Sequence, residues 1–402
     1  MARTIHHALV LNLHQPPGNL NYLWDNEKWE AKEILWALDR IPRMLWNYED
    51  IARVHLTLSG SLLETIASPN FQEKVYGTVK LGDLLWHYQN EKIINILGMG
   101  YYHPVLALIP QADREAHLSR WLEIAGHLFH RNNFQGFWPS EMGFCMELIP
   151  IIKKMGYQFV MVDSRHIIPK GNLTWQEIRY QPHIAKYGGE EIIVIVRDRE
   201  VSNAQESGMS FDWFNHELQE RTKWCDFEPL VMTATDGDNG GWFRNTDKKG
   251  NFWNAFYLPF LEEVRSGHTP IRPCFIHEYI EEHGVGKEVR VAPGAWNTGW
   301  HHGSGFVQWT GSKAQVDAIE RIQKVSDRYH AIASQISKEM PDRTEDAYWR
   351  LLRAQTSCNL FWGEAWLDRC HNDLDDCESI LEDLESMTIW SYNTHNRIHN
   401  IQ

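Results

Sequence analysis

Cysteine is scarce: six in 402 residues (Cys145, Cys225, Cys274, Cys358, Cys370 and Cys377), with no Cys-x-x-Cys pair among them. That spacing excludes a thiolate zinc scaffold and a disulfide-stapled one, and reduced thiols are expected. No run approaches the roughly 18 uninterrupted apolar residues of a bilayer-spanning helix, so no membrane partner is expected. Clusters of Lys and Arg are also missing, and the formal charge is -14. A phosphate backbone would be repelled, so nucleic acid is excluded as a partner, whereas a neutral polymer would not be. No internal repeat, low-complexity tract or Pro/Gly/Ser-rich linker divides the chain. The N-terminal stretch MARTIHHALVLNLHQPPG has a short apolar run broken by Asn12 and no small-residue cleavage site after it. It reads as a first strand and not a secretion signal, which makes a cytoplasmic location the expectation. The sequence leaves the oligomeric state open.

Aromatic residues are abundant: 19 Trp, 14 Tyr and 16 Phe, many of them beside His, Asp or Gly. Large aromatics fill large cores, and flat rings also serve as platforms for the C–H faces of sugars. Short apolar or β-branched runs at 6–13, 53–60, 156–163, 190–198 and 229–238 alternate with helical patterns at 28–50, 80–97, 111–132 and 144–155. Nearly continuous apolar strands separated by helices predict a parallel sheet, and this many units predicts an α/β barrel. From residue 311 the pattern turns helical, at 312–338, 343–366 and 373–390. A barrel over 1–310 and a helical bundle over 311–402, packed together, are the expected domains.

Polar residues cluster at the strand ends. His14 and Gln15, Ser59 and Gly60, Asp163 and Arg165, Arg197 and Asp198, and Asp236 to Asn239 end or follow such runs, and Glu141 follows a short strand at 134–138. The loops after parallel barrel strands open on one face, so these groups are expected to converge. Glu141 lies among aromatics and glycines in GFWPSEMGFC, and Asp236 ends the strand in TATDGDNGGWF. Glu141 is either a helix cap or a reactive carboxylate. Asp236 is either the acceptor of a D-G turn or its catalytic partner. As a pair they suit glycosidic-bond cleavage, one ionised and the other held protonated.

LNLHQPPG, GMGYYHPVLALIP (98–110), GFWPSEMGF (136–144), TATDGDNGGWF (233–243) and RAQTSCNLFWGEAW (353–366) occur in that order. Together they resemble the ordered regions of glycoside hydrolase family 57, the α-amylase, branching-enzyme and 4-α-glucanotransferase group. The resemblance spans nearly the whole chain. It implies an incomplete (β/α)7 barrel followed by a C-terminal α-helical bundle, and a retaining mechanism on α-glucans, α-1,4 bonds first. It also implies Glu141 as nucleophile and Asp236 as general acid/base. The family's usual Glu after D-G is Asp238 here, and NGGWF differs from branching-enzyme segments. His14, Gln15, His103 and Asp238 are expected to bind substrate, with Trp138, Trp242 and Trp362 as stacking platforms. Trp362 would bring the bundle over the cleft.

No metal or other cofactor is expected. HEYIEEH at 277–283 lacks the H-E-x-x-H spacing, His301 and His302 are adjacent, and His6 and His7 face opposite sides of a strand. Two competing readings stay open: a metal-dependent polysaccharide deacetylase of similar barrel, which needs an Asp-His-His site, and a carbohydrate-binding relative with a decayed site.

Overall fold

The computed structural model describes residues 3–245, 250–299, 303–336 and 340–399. His301 and His302 lie outside the described residues. The strands are β1 (Ile5–Leu13), β2 (Val54–Leu58), β3 (Ile94–Leu97), β4 (Gly136–Phe137), β5 (Phe159–Asp163), β6 (Ile167–Pro169), β7 (His183–Tyr187), β8 (Glu190–Arg197), β9 (Leu230–Asp236), β10 (Ile271–Pro273) and β11 (Val289–Val291). Seven parallel strands form a ring in the order β3-β2-β1-β9-β8-β5-β4. Gly98, just past β3, pairs with Phe137 of β4 and brings the two ends of that order together. Two seams are thin: the Gly98 bridge, and β8–β9, which share a single register pair, Arg197 with Met232. The barrel is thus nearly closed, with seven strands and helices around it.

Burial on both faces explains the apolar strands. In β1 every residue but His6 is buried, because β2 and β9 flank it and helices cover the outside. The outer helix Lys28–Leu45 turns Ala31, Ile34, Leu35, Leu38, Ile41 and Leu45 inward, the helical spacing of a single buried stripe. Two helical expectations need correction. The pattern at 80–97 holds a helix only over Leu81–Tyr88, and β3 follows at Ile94. The pattern at 144–155 is a helix only over Ile149–Lys154, preceded by a 3₁₀ turn.

After Val307 the described chain is helical, with long helices at Lys313–Ile336, Pro341–Ala354 and Leu367–His399. The expected helix at 343–366 is broken. Gln355 is buried and donates to Asp113 Oδ2 of the barrel helix Gln111–Phe129 at 2.6 Å, and the next residues turn back toward His103. The bundle core of Ile322, Val325, Leu351, Leu374 and Leu381 includes Val105 and Ala295 from barrel loops. The bundle therefore seats on the face where the strands end. No helix among the described residues is long and apolar enough to cross a membrane.

Candidate active site

Strand register sets the first part of the site. Asn12 of β1 is opposite Thr57 of β2 and Asp236 of β9. Residues opposite one another on neighbouring strands share a face, so all three side chains point the same way. Thr57 Oγ1 donates to the Asn12 side-chain oxygen Oδ1 at 2.7 Å. That fixes the amide so that its NH2 donates to Asp236 Oδ1, at 2.8 Å. Asp236 is thus held from its neighbouring strand and is not a turn acceptor. A Cβ on Gly237 would come within 2.9 Å of the Leu11 side chain, so only glycine lets the chain leave β9 against β1 here.

Glu141 follows β4 in a backbone conformation that L-residues seldom adopt. Its φ is 58° and that of Met142 is 50°, while neighbouring His103 has 56°. Each such residue costs about 1–3 kcal/mol and persists only where surrounding contacts impose it. Here Phe144 and Gly294 exchange backbone hydrogen bonds at 2.9 and 3.1 Å, and Trp296 N donates to the Glu141 carbonyl at 3.0 Å. Gly143 starts no helix. Its missing side chain leaves room for Val105, whose Cγ1 would lie 2.8 Å from an added Cβ. Nor does Glu141 cap a helix, because its carboxylate has other partners. Ser357 Oγ donates to Oε1 at 2.9 Å, and Trp296 Nε1 donates to Oε2 at 3.1 Å.

Glu141 and Asp236 line one cavity of about 550 Å³, together with His14, Gln15, His103, Asp238 and Trp362. Burial pushes the Glu141 carboxyl up to about 6, against the pull of its Ser357 and Trp296 hydrogen bonds. Asp236 rises further, to about 8. Burial comes first, then the charge of Asp238, with Glu141 and Glu206 adding to it and the Asn12 hydrogen bond opposing. Asp238 is pushed up to about 6 by burial and opposed by Gln15, which donates to its Oδ2 at 2.9 Å. His14 and His103 stack at 3.9 Å and 12°. Burial holds both imidazoles neutral, His14 down to about 3 and His103 well below its ordinary value, the latter also by its neighbour His14. The Ser357 hydroxyl gives its hydrogen to Glu141, so it accepts from His103 Nδ1, 3.0 Å away. That leaves His103 Nε2, like His14 Nδ1, buried with no protein partner among the described residues.

The tryptophans divide. Trp362, from the bundle, is 55% exposed and lines the cavity. Trp138 is a correction: it is fully buried and offers no face to a ligand. It meets Trp296 edge to face at 5.6 Å and so backs the ring that holds Glu141. Trp242 is partly buried and outside the cavity lining, with its indole N–H on the Gln205 carbonyl at 2.8 Å. Asp163, flagged as a strand-end acid, is spent on structure: it accepts from Arg197 at 2.9 Å and Arg199 at 2.8 Å. Asn12, Trp296 and Ser357 were not singled out from the sequence. Among the described residues, the one grouping of three His or acidic side chains close enough to share an ion is His6, Glu228 and His283. It sits at the starts of β1 and β9, not in the cavity.

Residues 12–292 match the family model described as Glycosyl hydrolase family 57. The chain belongs to glycosyl hydrolase family 57. Among similar proteins, a 4-alpha-glucanotransferase of Thermococcus litoralis is 27% identical over 191 residues, covering 47% of this chain and 26% of that protein. An alpha-amylase of Pyrococcus furiosus is 28% identical over 211 residues, covering 50% of this chain and 28% of that protein. The family 57 chain thus matches only 26–28% of the length of these curated relatives. A family 57 branching enzyme of Thermococcus kodakaraensis superposes with a TM-score of 0.72 at 13% identity, over 95% of this chain and 91% of that one. An exo-type maltose-forming amylase of a Pyrococcus species gives 0.73 at 11% identity, over 96% and 80%. At such identities the likeness is one of fold.

In this family 57 chain the bundle residue Ser357 reaches both Glu141 and His103, which makes it a test of whether the bundle completes the site. Ser357→Ala is expected to lower kcat/KM by about ten- to hundredfold, the worth of one hydrogen bond to a charged group. Because that bond holds the Glu141 carboxyl down, the acid side of the pH profile should also move upward. An unmoved pH profile measured by initial rates would disconnect Ser357 from Glu141.

Proposed function

We propose that the chain is a retaining glycoside hydrolase or transglycosylase acting on α-glucans, α-1,4 bonds first. One observation carries this reading: Glu141 and Asp236, from different strand ends, share a cavity in which the Asp236 carboxyl is pushed up to about 8 and Glu141 only to about 6. At neutral pH Asp236 holds its proton while Glu141 is mostly ionised. Glu141 attacks the anomeric carbon as Asp236 passes its proton to the leaving glycosidic oxygen. Asn12 engages Asp236 Oδ1, which leaves Oδ2 to carry that proton. A covalent glycosyl-enzyme results. Asp236, now ionised, takes the proton of the incoming water or sugar hydroxyl, and the second displacement restores the anomeric configuration.

The supporting residues have fitting chemistry. His103 Nε2 is an acceptor in the tautomer set by Ser357, suited to a sugar hydroxyl. Gln15 and Arg244 hold Asp238, the latter through its backbone carbonyl at 2.8 Å. Asp238 then acts mainly by raising the Asp236 carboxyl. Trp362 offers an exposed ring to the cleft. The names of the relatives, glucanotransferase and amylase, favour α-glucans.

The test is incubation with maltooligosaccharides and amylose, followed by chromatography of the products. Redistributed chain lengths are expected for transfer, and shortening alone for hydrolysis. An unchanged profile on every α-glucan would sink the α-glucan reading.

A further inference from the structure

His6 Nε2 lies 3.0 Å from Glu228 Oε2, and His283 Nε2 lies 3.8 Å from the same oxygen. The candidate ligand atoms of the three residues all fall within 4.8 Å of one another. Tetrahedral zinc with bonds of about 2.0–2.1 Å sets its ligands about 3.3 Å apart, so small rotations of side chains would bring these three to that spacing. Two imidazoles and a carboxylate are a ligand set of the right chemistry for a borderline-soft divalent ion. The three groups come from separate parts of the fold: the start of β1, the segment before β9 and the last residue of the helix Ile276–His283.

The surroundings hold the cluster in place. The Tyr279 ring meets His6 at 5.1 Å and His283 at 4.5 Å, and the Tyr279 hydroxyl donates to the Glu228 carbonyl at 2.5 Å. The backbone carrying Glu228 is therefore tied to the helix carrying His283. His6 is mostly buried, while Glu228 and His283 keep partial exposure, so an ion has a path in from solvent. Glu282, whose Oε2 is 3.7 Å from His283 Nε2, adds negative charge at the rim. From His6 to Asn12 is six residues of strand, or roughly 20 Å at the usual rise, so an ion here takes no part in glycosidic chemistry.

We propose that His6, Glu228 and His283 form a divalent transition-metal site, zinc by ligand type, that staples the end of the barrel at which β1 and β9 start. Bound metal would link β1, the β9 entry and the helix Ile276–His283, and raise the melting temperature.

The test uses the untagged full chain, stripped with chelator, and zinc chloride as the probe. Isothermal titration should show one zinc per chain, and scanning fluorimetry a higher melting temperature with zinc. Glu228→Gln and His283→Ala should each weaken binding by more than about tenfold, the lower range for losing a metal-site partner. His268→Ala, an exposed histidine paired with Glu263, should leave binding unchanged. Glu228→Gln keeps the side-chain shape, so it separates ligand loss from misfolding, which circular dichroism checks. No zinc binding by the wild-type chain would overturn the proposal, as would equal affinity in wild type and both ligand variants.

Discussion

Glu141→Gln is expected to lower turnover of α-glucans by on the order of 10⁶-fold, the scale at which an enzyme loses its covalent nucleophile. The fold should survive. The substitution keeps the shape of a residue whose left-handed backbone is imposed by Gly294 and Trp296, not by its carboxylate. One donor, Ser357 or Trp296, would then face an amide NH2 instead of an oxygen. That mismatch costs about 1–3 kcal/mol at most, small beside the loss in rate. Glu141→Ala separates the nucleophile from the acid/base role. With that side chain gone, azide can enter from the nucleophile's side in a single displacement, and the glycosyl azide formed has inverted configuration. Azide rescue at Asp236→Ala would act on the second displacement and give retained configuration. Product anomers read by NMR decide between the two assignments. Wild-type turnover in Glu141→Gln would remove Glu141 from the chemistry.

The seven-strand barrel was legible because burial on both faces writes long apolar runs, and β1, β2, β5, β8 and β9 all carry one. The run INIL of β3 was not legible. It has four residues and follows a helix whose apolar spacing continues into it, so periodicity alone does not separate them. The site was legible as far as it hangs on strand ends, since topology sends those to one face. Trp296 and Ser357 were not, because each reaches Glu141 from more than 150 positions away, and no local pattern encodes such a contact. Trp138 shows the reverse error. It lies three residues before the motif acid in sequence, but the strand's exit turns it behind Trp296, and the direction of a side chain is a tertiary property. The cluster of His6, Glu228 and His283 was missed in the same way: its separations of 222 and 55 residues match no metal motif.

Asp236→Asn should separate the two halves of the proposed reaction. On natural glucans the leaving oxygen needs a proton, and removing the acid should lower kcat/KM by about 10²–10⁴-fold. A glycosyl fluoride leaves without one, so the variant should still release a burst of fluoride and then stall as glycosyl-enzyme, because no base activates the acceptor. The pH profiles carry the same logic. In the wild type, activity should fall as pH drops through about 6, where Glu141 takes a proton, and fall as pH rises through about 8, where Asp236 loses its own. In the variant's fluoride burst only the limb near 6 should remain. Stability of the variant should move in the opposite direction to its activity. The folded chain holds the Asp236 proton up to about 8, whereas an unfolded chain releases it near the ordinary value of about 3.9. Stability from this group is therefore full below that lower value and is lost as pH rises toward the upper one. Asn has no proton to lose, so the variant should melt at or above the wild-type temperature at pH 8. A variant that is both inactive and less stable there would mean that Asp236 is retained for packing. An inactive but more stable one is what a carboxylate held protonated for chemistry requires.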